Sequence, residues 1–139
     1  MTEHNGRTAA HSAPRATKTA REGQDTTLPV IHTSEAMGII ARHMSERELQ
    51  DNVIALARTL GWRVYHTYDS RRSDPGFPDL VMVRGDVLIV AELKRQRRYR
   101  VSAAQDAWLA ALDRVARAYL WQPSDWLDGT IERVLRGDA

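Results

Sequence analysis

The chain has 139 residues, of which 42% are hydrophobic and 27% charged, with a formal net charge of +2 and no cysteine. That length suits one domain of ordinary globular composition, and the missing cysteines exclude disulfides, cysteine-ligated zinc and thiol catalysis. No apolar run approaches the ~20 residues of a membrane helix and the N-terminus lacks a signal-peptide core, so no membrane partner is expected and the expected compartment is the cytoplasm.

Residues 1 to about 30 are polar and small, with no helical or strand periodicity, and read as a disordered extension. Residues 33–44 carry a weak helical signal. The stretch 1–44 is therefore expected to be a disordered or weakly helical extension, with the domain at 45–139. Met44 stands directly before the first strong element and is a candidate internal start.

From Ser45 the pattern sharpens. Ser45-Glu46-Arg47-Glu48 fits a capping box, and Leu49, Val53, Leu56, Ala57 and Leu60 follow on one helical face, with Gly61 as the stop. Trp62–Tyr68 reads as a strand and Asp69–Pro78, dense in turn formers, as a loop. Asp79–Arg84 and Val87–Leu93 read as two strands of a hairpin closed by Gly85-Asp86. Ser102 caps a second helix carrying Ala104, Trp108, Leu112 and Val115 on one face. Ala118–Trp121 is a short apolar strand, and a turn then leads to a terminal helix around Gly129–Leu135. The order from Ser45 is α-β-β-β-α-β, which predicts an α/β fold with a mixed sheet flanked by helices.

The third strand holds the anomaly. Side chains alternate across a sheet, so Leu88, Val90, Glu92 and Lys94 share one face, and two apolar residues lead into a carboxylate and an amine. Alone, this is how an ion pair at a strand end looks. Asp79 adds to it. It opens the partner strand directly after Gly76-Phe77-Pro78, where proline lets the chain enter the sheet without a ladder bond. Asp79 and Glu92 are nearly equidistant from the turn and should face one another. Two carboxylates side by side repel unless a cation lies between them, and oxygen ligands favour a hard ion such as Mg²⁺ or Mn²⁺.

On the first helix, periodicity separates two acids. Glu46, three before Leu49 and seven before Val53, lies on the face that meets the sheet and is the candidate third ligand. Glu48 points to solvent and serves the cap. Five basic residues and no acid lie between Lys94 and Arg100. Of these, Arg95, Arg97, Arg98 and Arg100, together with Arg71 and Arg72, form local basic patches that attract phosphate, though a solvated basic loop would look the same. His66 is read as a half-buried structural histidine, and Trp108, Trp121 and Trp126 as core.

These motifs, Gly76-Phe77-Pro78-Asp79, Glu92-Leu93-Lys94 and the run Gln105 to Leu109 with Trp108 inside it, resemble the VRR-NUC family, a branch of the PD-(D/E)xK nuclease superfamily, over roughly Glu46 to Trp121. The resemblance implies a restriction-endonuclease-like αβββαβ core and a Mg²⁺-dependent endonuclease acting on DNA, with branched DNA or Holliday junctions as the expected substrates. Linear duplex cleavage and non-cleaving DNA binding are the alternatives. It implies Asp79, Glu92, the Leu93 carbonyl and Glu46 as metal ligands. Lys94 would orient the attacking water or stabilise charge at the phosphate, and Gln105 would support Lys94 or a phosphate. Symmetric cutting of two strands needs two active sites, so a homodimer is expected.

Overall fold

A computed structural model describes residues 30–96 and 100–138. The elements in chain order are α1 (Thr33–His43), α2 (Glu46–Thr59), β1 (Arg63–His66), a 3₁₀ turn (Ser70–Arg72), β2 (Leu80–Arg84), β3 (Val87–Leu93), α3 (Ala103–Asp113), β4 (Arg117–Trp121), α4 (Pro123–Leu127) and α5 (Thr130–Arg136). Two of the helices start at reciprocal caps. The Ser45 hydroxyl accepts from the Glu48 amide at 3.0 Å while the Glu48 carboxylate accepts from the Ser45 amide at 2.8 Å. Ser102 and Gln105 repeat the arrangement at 3.1 and 3.0 Å. Each cap satisfies amides that the first helical turn leaves without intrahelical partners.

The sheet has the order β1-β2-β3-β4, antiparallel at the first two pairings and parallel between β3 and β4. It is thus a mixed sheet flanked by helices, and from α2 to β4 the order is α-β-β-β-α-β. Leu80 pairs with Ala91 and Arg84 with Val87, a register set by the tight turn at Gly85, whose φ is 60°.

Alternation divides the sheet's side chains between two layers. Leu80, Met82, Ile89, Ala91, Leu93 and Trp121 form one face, packed against Leu49, Val53 and Ala57 of α2 and Ile131, Val134 and Leu135 of α5. Trp62 ties α5 down: its indole N–H donates to the Leu135 carbonyl at 2.9 Å, and the Arg84 guanidinium lies 4.6 Å from its ring centre. The opposite face carries Val90 and Glu92, 1% and 3% exposed, with α3 over it.

The structure departs from the sequence-based expectation in several places. The compact unit begins at Ile31, so it takes in α1, whose Ala41 is 2% exposed and which packs on α4. The strand expected at Trp62–Tyr68 is shorter, and Asp79 stands one residue before β2. Val115 is not on the buried face of α3, because the helix ends at Asp113; the side chain is 77% exposed. Trp121 is buried and Trp126 packs against the core. Trp108 is half-buried and meets Phe77 edge to face at 5.0 Å between ring centres, outside the main cluster. Residues 1–29, expected to be disordered, lie outside the described residues. Among the described residues, no helix is long and apolar enough to cross a membrane.

Candidate active site

The ends of several elements meet at one end of the central strands β2 and β3. The Leu80–Ala91 pairing, carried one step further, sets Asp79 opposite Glu92 on the α3 face. Asp79 is held there by the strand it faces: its Oδ2 accepts from the Leu93 amide at 2.7 Å. Its carbonyl accepts from the Thr67 amide at 3.0 Å, which ties the end of β1 to the same point.

Glu92 is the one buried charged side chain among the described residues. Its Oε1 receives two donors, the Lys94 ammonium at 3.1 Å and the Gln105 amide nitrogen at 2.5 Å. Gln105 therefore works with both ends of its side chain. Its carbonyl oxygen caps α3 at the Ser102 amide, and its –NH₂ grips Glu92. The contact it makes is with Glu92, on the same oxygen that Lys94 meets. The amide is the right group: a carboxylate would cap α3 equally well but would set a like charge against Glu92. The first turn of α3 also brings its positive dipole end to the acids.

Gly76 makes this approach possible. Its φ is 87°, and a Cβ there would lie 2.5 Å from the Gln105 nitrogen and 2.6 Å from the Ala104 carbonyl oxygen, with the Ala104 carbonyl carbon nearer still. Any side chain would push α3, and Gln105 with it, away from Glu92. Sequence reasoning found Gly76 only as part of a motif; the available signal was a glycine next to the Phe77-Pro78-Asp79 entry to the strand.

The paired carboxyls leave a clear electrostatic mark. Burial, and then the Asp79 charge alongside, push the Glu92 carboxyl up to about 7, with Lys94 pulling the other way. Burial raises Asp79 as well, offset in part by the Leu93 N–H. Asp79 Oδ1 and Glu92 Oε2 have no amide or ammonium donor among the described residues. They are two hard oxygens at a desolvated point where negative charge is under-compensated, and that donor set fits a divalent cation of the Mg²⁺ kind.

A cavity of about 210 Å³ opens onto this pair, lined by Glu46, Thr67, Asp74, Lys94 and Gln105 among others. Glu46 is exposed in the first turn of α2, and its charge contributes to raising Asp79. It shares the cavity without joining the pair. Among the described residues, no three acidic or histidine side chains are gathered closely enough to hold an ion together. Leu93 is buried and meets Asp79 through its amide.

The expected DNA contacts divide. Arg71 and Arg72 are 92% and 90% exposed on the 3₁₀ turn, 3.5 and 3.9 Å from the Asp69 carboxylate. Arg95 and Arg100 are exposed on either side of residues 97–99. Arg97 and Arg98 lie outside the described residues. His66 is half-buried, as expected, but it ends β1 beside a second and larger cleft that reaches Asp79. Comparison with protein-family models, curated proteins and solved structures gives no match to this chain.

Two outcomes follow from this geometry. Because the folded-state value of Glu92 lies above the ordinary 4.5, the stability it contributes is complete below about 4.5 and is lost as pH rises through about 7. In metal-free thermal unfolding, Glu92→Gln should therefore gain on the wild type across that window, by on the order of 2 kcal/mol, with no gain below it. A difference that grows as pH falls would contradict the assignment. Gln105→Glu should keep helix capping and overall helicity, yet push the Glu92 titration measured by carboxyl NMR still higher. An unchanged titration would show that the amide contact has no energetic weight.

Proposed function

We propose that this domain is a metal-dependent endodeoxyribonuclease of the PD-(D/E)xK type, related to the VRR-NUC branch, that hydrolyses phosphodiester bonds in branched DNA. One observation carries the reading: two carboxyls side by side at the end of the central strands, Glu92 buried and Asp79 half-buried, with an ammonium 3.1 Å from Glu92 and a cavity in front. An ion pair that served stability alone would not need a second acid pressed against it, since that acid raises the cost of burial.

The reaction is attack by water in line with the leaving oxygen, forming one P–O bond and breaking another. Asp79 and Glu92, with Glu46 and the Leu93 carbonyl as further oxygens, would hold a Mg²⁺ ion, which when bound would supply Lewis-acid polarisation of the phosphoryl group and a more acidic water. The protein's own groups do the rest. Lys94 in its charged form stabilises negative charge gathering on the phosphoryl oxygens, and in its neutral form can take a proton from the attacking water. Gln105 and the Leu93 amide fix the two acids so that little reorganisation is left for the moment of reaction. Arg71, Arg72, Arg95 and Arg100 hold backbone phosphates without reading sequence. A pair of such domains would cut two strands of a junction symmetrically.

A second reading, a DNA-binding module that does not cut, draws on the fact that Lys94 and Gln105 already satisfy one oxygen of Glu92. Digestion of four-way junctions, flaps, nicked and linear duplexes with Mg²⁺ separates the two. The wild type should cut at least one branched substrate faster than linear duplex, and Lys94→Ala should cut about a hundredfold more slowly or worse. Equal rates on junction and linear duplex would remove the branched-DNA preference. No cleavage of any substrate would leave the binding module.

A further inference from the structure

The larger cleft, about 600 Å³, adjoins the site but lies on the α2 side of it. Glu46, Thr67 and Asp79 line both cavities, so the two adjoin. One wall is α2, presenting Arg47, Ile54, Ala55 and Arg58, positions that fall on one helical face. The other wall is the end of β1, with His66 and Tyr68. None of the arginines expected to contact DNA stands here.

Tyr68 is the most exposed large hydrophobic side chain described, at 91%. Its ring lies 4.5 Å from the His66 ring, tilted by 37°, and its hydroxyl makes no hydrogen bond among the described residues. An aromatic face left in water beside a cleft of this size is a stacking surface for a flat ligand. The cleft volume falls within the usual range for small-ligand sites, roughly 300–1,000 Å³. Arg47 and Arg58, eleven residues apart and so about 16 Å along the helix axis, bracket the opening with positive charge. Asp51 is the one acid in the lining besides Glu46 and Asp79.

We infer that this cleft holds an unpaired nucleotide of the DNA strand next to the reaction centre, its base stacked on Tyr68 and its flanking phosphates on Arg47 and Arg58. Paired bases in a duplex hide their faces against their neighbours, so an exposed ring at the rim of a cleft finds a free base face where a base has left the stack. This gives the preference for branched DNA a physical source: a branch point supplies such a base without the cost of extruding it. The inference rests on the nuclease reading for its ligand, but its test does not depend on cleavage.

The test uses the full chain with Ca²⁺ as the hard cation, and duplexes carrying 2-aminopurine either fully paired or as a single unpaired nucleotide. Wild type should bind the unpaired form more tightly and quench its fluorescence. Tyr68→Ala should lose the quenching and about tenfold in affinity for the unpaired form, whereas Tyr68→Phe, which keeps the ring, should retain both. Arg47→Ala and Arg58→Ala should each lower the salt dependence of binding by about one unit. Equal affinity for paired and unpaired DNA, indifference to Tyr68→Ala, or equal quenching of free 2-aminopurine deoxynucleotide would each overturn the inference. If the tyrosine effect holds and no substrate is ever cut, the cleft stands and the hydrolytic reading falls. If cleavage is intact while Tyr68 proves irrelevant, the hydrolytic reading stands and the cleft falls.

Discussion

The structure turns on the forced proximity of two carboxyls, Asp79 and Glu92, at a point sheltered from water. Taking even one ionised carboxylate out of water costs several kcal/mol unless partners replace the lost solvation, and a second acid beside it raises the cost. The fold meets that cost with what surrounds the pair: the Leu93 amide on Asp79, and the Lys94 ammonium and Gln105 amide on Glu92. The protection is incomplete, because burial and the neighbouring charge still raise both acids. A residue pair held at a disadvantage in the metal-free protein gives a cation a favourable place to bind.

The scaffold serves this one spot from every direction. The hairpin register places the acids opposite each other, and parallel β4 brings the Trp121 carbonyl to the Lys94 amide at 2.9 Å, fixing the backbone from which the lysine projects. The α2 and α3 helices start beside the acids, so their positive ends face the negative charge. Gly76 lets the loop before Asp79 touch the backbone of α3, which couples the position of Gln105 to that of the loop. The core on the opposite face, where Leu49, Leu80, Ile89, Ile131 and Leu135 are fully buried, keeps these parts from shifting independently.

Much of this was legible in the residues because it is local or tied to a short turn. The Ser45–Glu48 capping box and the Ser102 cap follow from local patterns. The Asp79–Glu92 opposition follows from alternation and a two-residue hairpin, since a slip of one residue would turn every side chain over. The contacts that the sequence did not show are those between distant segments. Gln105 was expected beside Lys94 or a phosphate, and nothing in the sequence showed that it would cap α3 with one end and reach Glu92, thirteen residues earlier, with the other. The role of Gly76 depends on which helix the loop happens to touch. The α4 helix spans five residues, too few to show periodicity, and its partner α1 carries only a weak apolar stripe. The His66–Tyr68 wall was invisible because exposure is a property of the folded surface.

The proposed hydrolysis requires Asp79 and Glu92 together to hold a hard divalent cation. Diffraction from crystals soaked in Mn²⁺, recorded near the manganese absorption edge, tests this most directly. The expected result is an anomalous peak at metal–oxygen distance, about 2.0–2.4 Å, from one oxygen of each carboxylate. A peak that touches neither acid, or a saturated soak with no peak at the end of the β2–β3 pair, would contradict it.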